Sequence, residues 1–162
     1  MQSLYKNKKF LGWSKSSTAT SASYSSGGNL GTVSEDTILY AVWQERDSVT
    51  INPSVSDITT VVFDNIPDAQ DGLTYYFDRG TNKKVTIEIN TSATEGKEYY
   101  INSVTGATGT VIENGRRSWT GNDIANIGST AVATTISVIY HKNLKFHLHN
   151  YFIELASFDP TT

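Results

Sequence analysis

Short runs of strand-forming residues alternate with turn residues along the chain from Ser48 onward. β-Branched and aromatic residues favour the pleated, half-buried surface of a strand, whereas Gly, Pro, Asn and Asp favour turns. No helical periodicity separates the runs, so the pattern predicts an all-β fold, and the regular spacing indicates an antiparallel β-sandwich, Ig-like or jelly-roll-like. The predicted strands are Val49–Asn52, Thr59–Phe63, Leu73–Asp78, Lys84–Asn90, Glu98–Ser103, Thr110–Glu113, Ala133–His141 and Lys145–Leu155.

The last predicted hairpin indicates which strand face is buried. Successive strand residues point to opposite faces, and even positions such as Val138, Tyr140 and Phe146 are apolar. We therefore expect the even positions to face the core and the odd ones, His141 among them, to face solvent. The predicted core residues of the whole chain are Trp13, Tyr40, Trp43, Val62, Ile87, Val138, Tyr140, Phe146 and Leu148.

The first third of the chain has a different composition. Residues 14–31 are mostly Ser, Thr, Gly, Ala and Asn, which indicates loop and irregular hairpin. A predicted strand, Thr37–Trp43, follows and is apolar on both faces. The charged break Gln44–Asp47 then predicts a domain junction, which divides the chain into a small module at residues 1–46 and a β-sandwich at residues 47–162.

Two apolar elements frame this polar stretch. The first is Phe10–Trp13, read FLGW, and the second is Glu35–Trp43, read EDTILYAVW, with Tyr24 and Gly27 between them. Together they resemble the C-terminal half of the Listeria/Bacteroides repeat, also called the internalin B-repeat. That family brackets a variable polar stretch with an aromatic-x-Gly-Trp element and an Asp-Thr-x-Leu-Tyr-Ala-x-Trp strand.

The resemblance implies a small, partial β-grasp-like module in which Trp13 and Trp43 pack into one core. It covers about residues 10–43, and the strand and helix that precede the Gly-Trp element in the family have no counterpart here. We therefore expect an uncovered strand edge near the two tryptophans, completed by another copy, by a partner protein or by an internal cover. Family members occur in bacterial surface proteins as spacers and adhesion modules.

Composition narrows the classes of function. Charged residues make up 18% of the chain, the net charge is −3 and no basic block stands out, which argues against nucleic acid as a partner. Cysteine is absent, which excludes disulfides and thiol chemistry. No apolar run has the length needed for membrane insertion, and no Gly-x-Ser-x-Gly elbow occurs. We expect neither catalysis nor a cofactor.

Two groups of residues are candidates for metal binding. Histidines that alternate along a strand can chelate zinc, but three solvated imidazoles are the preferred interpretation. Carboxylates in a long loop can bind calcium, but their spacing is not that of a calcium loop, so a solvated turn capped by Asx side chains is preferred. The two groups are His141, His147 and His149, and Asp64, Asp68, Asp71 and Asp78.

A third group consists of side chains suited to contact with a partner. Each of the pairs Tyr75-Tyr76 and Tyr99-Tyr100 is expected to put one ring inward and one outward. The pair Arg116-Arg117, close to Trp119, suits a sugar acid or a phosphate. The alternative for that segment is a hairpin closed at Asn114-Gly115, with Trp119 capping the core. The predicted interaction surface comprises Trp13, Trp43, Tyr76, Tyr99, Arg116, Arg117 and Trp119.

The sequence thus predicts a non-enzymatic structural or adhesion module of a bacterial surface protein, located outside the cell. A structural or receptor-binding protein of a bacteriophage virion is the alternative, since a cysteine-free chain rich in Ser, Thr and Asn is typical of both settings. A carbohydrate-binding domain is the second alternative. The expected partners are other protein chains, from self-assembly or from a host surface, and glycans.

Overall fold

The computed structural model describes residues 5–90, 98–112, 115–124 and 130–143, and within these the chain is almost entirely β. The all-β prediction is confirmed. No helix in these ranges has the length and apolar character to cross a membrane. The described elements are β1 Lys8–Ser14, β2 Tyr40–Glu45, β3 Asp47–Pro53, a 3-10 turn Ser56–Ile58, β4 Thr59–Phe63, β5 Ala69–Asp71, β6 Thr74–Phe77, β7 Val85–Ile89, β8 Glu98–Thr105, β9 Gly109–Ile112, β10 Ser118–Gly121 and β11 Ala133–Asn143.

From β3 onward the strands form two sheets that enclose one hydrophobic core. A four-stranded sheet has the order β4-β7-β10-β9, and a five-stranded sheet has the order β5-β6-β3-β11-β8. Phe63 of the first sheet packs against Tyr75 and Phe77 of the second, with ring centroids 4.8 and 5.0 Å apart. The sheets therefore face each other as layers of a sandwich.

From Ile136 to His141 in β11 the even positions face the core and the odd positions face solvent, as the sequence pattern predicts. Ile136, Val138 and Tyr140 are buried, whereas Ile139 and His141 are exposed. The inward and outward assignment is therefore confirmed for this strand, and the burial predicted for Ile87 is also confirmed. The rest of the predicted hairpin, including Phe146, Leu148, His147 and His149, lies outside the described residues.

The pairing of β3 with β11 departs from the antiparallel prediction. These strands run parallel, with Ser48 opposite Ala133 and Pro53 opposite Val138. Parallel neighbours need a long connection between them, and the chain from β4 to β10 supplies it. The other pairs of described strands are antiparallel.

Four residues predicted in the core are exposed. Val62 is 52% exposed. Its neighbours Val61 and Phe63 pack against the core, and strand alternation therefore points Val62 to the opposite, outer face of β4. The other three, Trp13, Tyr40 and Trp43, are 37 to 39% exposed. They belong to β1 and β2, which form a two-stranded sheet of their own outside the sandwich core.

Candidate functional site

The two-stranded sheet owes its shape to a bulge in β1. Phe10 pairs with Trp43 and Trp13 pairs with Ala41, and the register shifts between Phe10 and Gly12. A bulge inserts one residue and so reverses the alternation beyond it. Phe10 and Trp13, three positions apart, therefore point to the same face, and their ring centroids are 5.3 Å apart.

Gly12 makes this bulge possible. Its φ is 135°, and a Cβ built on it would lie 2.2 Å from the carbonyl oxygen of Tyr24. That close approach belongs to a short third segment beside β1, where the Trp13 N–H donates to the Tyr24 oxygen at 2.8 Å and the Tyr24 N–H donates to the Trp13 oxygen at 3.0 Å. Only glycine fits this position.

Four rings form a continuous group on one face of the sheet. The centroid distances are 5.5 Å from Tyr5 to Trp43, 5.1 Å from Trp43 to Phe10 and 5.3 Å from Phe10 to Trp13. Interplanar angles of 56 to 74° match the edge-to-face geometry that aromatic pairs prefer. Tyr5 is 53% exposed and the two tryptophans are close to 40% exposed. We call these four residues the aromatic face.

The opposite side of the same sheet is more enclosed. Val42 is 3% exposed and Ser14 is 4% exposed. Beside them the segment from Thr32 to Ile38 borders a groove of about 490 Å³, whose lining includes Tyr40 and the acidic pair Glu35 and Asp36. The sheet thus presents rings on one side and a polar groove on the other.

Ion pairs fasten this sheet to the sandwich. At the predicted junction the chain passes from β2 into β3 through Arg46, whose Nε donates to Asp78 Oδ1 at 2.9 Å. Lys9 of β1 binds the other oxygen of the same carboxylate, and Lys6 pairs with Asp71 at 2.9 Å. Partial burial raises the pKa of Asp78, but hydrogen bonds and charge from Lys9 and Arg46 outweigh it and lower the pKa below its usual value. This carboxylate is therefore charged at neutral pH.

The predicted tyrosines contribute no ring to the aromatic face. Tyr76 is half-buried and borders a groove of about 310 Å³ together with Arg46 and Ser48. Tyr99 shares the inward side of β8 with Ile101 and packs against the core, so its placement on an outer surface is wrong. The outward ring is that of Tyr100, which meets His141 at a centroid distance of 5.8 Å.

The segment Arg116–Trp119 runs from the surface into the sandwich, since Arg116 is exposed, Arg117 is half-buried and Trp119 is buried. Trp119 is 3% exposed in the core, which confirms the capping interpretation and contradicts its assignment to an interaction surface. The Arg116 guanidinium donates to the carbonyls of Ile101 and Asn102 at 2.9 and 3.1 Å. The carbonyl of the half-buried Arg117 accepts the N–H of Ile89 at 2.8 Å. Both arginines thus tie the start of β10 to neighbouring strands.

The candidate calcium carboxylates are engaged within the chain. Asp64 Oδ1 accepts the N–H groups of Asn65 and Lys84 at 3.0 and 2.8 Å, and Asp68 Oδ2 accepts the N–H of Asp78 at 2.8 Å. Two of these contacts join residues 20 and 10 positions apart, so the carboxylates tie the loop to neighbouring segments instead of forming local Asx turns. Among the described residues no three His, Asp or Glu side chains are grouped to hold a metal ion.

Comparison of the chain with protein-family models, with curated proteins and with solved structures finds no match. The resemblance of residues 10–43 to the B-repeat therefore stays a prediction. The sequence singled out Trp13 and Trp43 as candidate contact residues, but not Phe10 or Tyr5. The signal that could have grouped Phe10 with Trp13 is Gly12, a glycine two residues after an aromatic residue and directly before a tryptophan, because a bulge at this glycine brings the two rings to one face.

Proposed function

We propose that this chain is a non-enzymatic structural or adhesion module that binds another protein chain through the aromatic face. The observation that carries the proposal is the row of four contacting rings, three of them more than a third exposed. Tryptophan and tyrosine are the residues that most often dominate the binding energy of protein interfaces. Rings already fixed by edge-to-face packing also lose little freedom when a partner covers them.

A second copy of this chain is the partner that the surface fits best. Lys8 lies opposite Glu45 at the end of the sheet, so the aromatic face is bordered by one charge of each sign. In a twofold arrangement each charge meets its opposite on the other copy. β2 pairs with β1 alone among the described strands. Pairing of β2 with β2 of a second copy would instead extend the sheet and leave the aromatic face uncovered, so contact through the aromatic face is the arrangement proposed here.

Sedimentation equilibrium over a range of micromolar concentrations tests this proposal. We expect a reversible dimer whose dissociation constant rises roughly 1,000-fold in Trp43→Ser, because the variant dimer loses the ring from both copies and each ring is worth about 2 kcal/mol. Ile66→Ser is the matched control, since Ile66 is 91% exposed on a loop of the sandwich and lies outside the aromatic face. A wild-type chain that stays monomeric throughout would overturn pairing between copies.

The setting of such a module is a bacterial surface protein, and a bacteriophage virion component is the alternative.

Carbohydrate binding is a second candidate function, favoured by the groove in which Tyr40 lies beside Glu35 and Asp36. Aromatic rings with nearby carboxylates suit the apolar faces and hydroxyls of a sugar. A monomeric chain that binds on a glycan array, and loses that binding in Tyr40→Ala but not in Trp43→Ser, would support this candidate instead.

A further inference from the structure

A lysine and an aspartate are paired inside the sandwich where charges are rarely found. Lys83 Nζ lies 2.8 Å from Asp47 Oδ2, and the two side chains are 1% and 2% exposed. The Nζ also lies 5.8 Å from the centre of the Phe77 ring. Removing two full charges from water costs several kcal/mol per ion, which the attraction between them repays only in part. A simple ion pair is therefore an expensive arrangement at this place.

The two side chains come from opposite layers and are held in position by backbone hydrogen bonds. Asp47 begins β3 in the five-stranded sheet, where it pairs with Phe77 of β6. Lys83 lies just before β7 of the four-stranded sheet and exchanges two backbone hydrogen bonds with Ile124, at 3.2 and 2.7 Å. Neither residue can move away without disturbing a strand.

We propose that Lys83 and Asp47 condense to an intramolecular amide bond that joins the two sheets. The bond forms between Lys83 Nζ and Asp47 Cγ, the carbon that carries the oxygen at 2.8 Å from the nitrogen. The product is neutral, so the condensation removes both buried charges at once. It needs no oxidant, reductant or further reactant.

The hydrogen bonds around Asp47 assign a role to each of its oxygens. Oδ2 takes one proton from the Lys83 ammonium, which leaves a neutral amine beside a neutral acid. The amine lone pair then attacks Cγ, while the N–H of Val132, 3.0 Å from Oδ1, stabilises the charge that develops on that oxygen. The new nitrogen gives a second proton to Oδ2, which leaves as water, and Oδ1 becomes the amide carbonyl. One ammonium and one carboxylate thus yield one amide and one water.

Two features favour the reaction over the same condensation in solution. Amine and acid are held in contact, and well-oriented intramolecular reactions reach effective concentrations on the order of 10⁵ to 10⁸ M. The surroundings are closed to bulk water, which is the reactant of the reverse hydrolysis. Both features come from the folded chain, so the bond should form only after folding.

Intact-mass spectrometry of the purified full chain is the direct test. We expect the wild-type chain to be lighter than its sequence mass by one water molecule, and a protease digest to contain a branched peptide that joins the segments around Lys83 and Asp47. Lys83→Arg keeps the positive charge but cannot form this amide, and it is expected at full mass.

The arginine variant also separates the amide from another route to the same mass. Asp71 precedes Gly72, and such a pair can lose water by closing an imide within its own backbone. An imide would persist in Lys83→Arg and would yield no branched peptide, so a mass loss that survives in that variant overturns the proposal. A wild-type chain at full mass after prolonged incubation of the folded protein at neutral pH overturns it as well.

Discussion

Phe77→Ala is expected to lower the free energy of unfolding by about 3 to 5 kcal/mol, the cost of removing a large buried ring and leaving a cavity. Phe77 has no exposed surface and stands at the centre of the sandwich, with the Phe63 ring 5.0 Å away. Neighbouring strands hold both sheets in place, so the structure can collapse only partly into the space. Urea denaturation followed by circular dichroism measures the change.

Val62→Ala is the control for this result. Val62 is 52% exposed in the middle of β4, so its truncation is expected to change the free energy of unfolding by no more than about 0.5 kcal/mol. Equal losses in the two variants would contradict the assignment of Val61 and Phe63 to the inner face of that strand.

Lys83→Met is expected to destabilise the chain by about 3 to 5 kcal/mol at neutral pH, because it leaves the Asp47 carboxylate buried without its cation. The loss is large whether the native pair is ionic or covalent, since the variant retains neither form. Lys84→Met is the matched control, as the adjacent Lys84 is exposed and its replacement should be nearly neutral. Denaturation at pH 7 compares the two variants.

The loss in Lys83→Met should shrink as the pH falls. Burial without a cation raises the pKa of a carboxyl group above its unfolded value of about 3.9. The folded variant then binds a proton more readily than the unfolded chain, so its stability relative to the wild type is recovered toward pH 4 and lost as the pH rises. A deficit that is the same at pH 4 and pH 7 would show that Asp47 is not left charged in the variant.

The sandwich strands could be predicted where strand-forming residues are dense, as in β4, whose predicted and observed bounds are both Thr59–Phe63. The sequence did not predict β5 or β10, because their strand conformation comes from neighbours. Ala69–Asp71 has no β-branched residue and is a strand because it pairs with β6. In β10, Trp119 is the only large apolar residue, and its ring lies over Gly109, where a Cβ would be 2.3 Å from it. Strands that depend on such contacts with neighbouring strands show no hydrophobic periodicity in their own sequence.

The candidate site shows a similar limit. The sequence singled out Trp13 and Trp43 by their framing of a polar stretch, but it assigned them both to a core and to the predicted interaction surface. Whether a strand face is covered depends on what packs against it, and alternation alone cannot show that. The grouping of Phe10 with Trp13 required the bulge at Gly12, whose need for glycine becomes visible only with the Tyr24 carbonyl beside it.

The parallel pairing of β3 with β11 determines how the sandwich would bear a pulling force. The chain enters β3 from Arg46 and leaves β11 at Asn143, and because the strands are parallel these two points lie at opposite ends of the pair. Tension applied there slides the strands along each other and loads their hydrogen bonds together, whereas an antiparallel pair joined at one end would open one bond at a time. A domain under such shear should resist stretching in single-molecule force spectroscopy more strongly than when it is pulled across the β5–β6 hairpin.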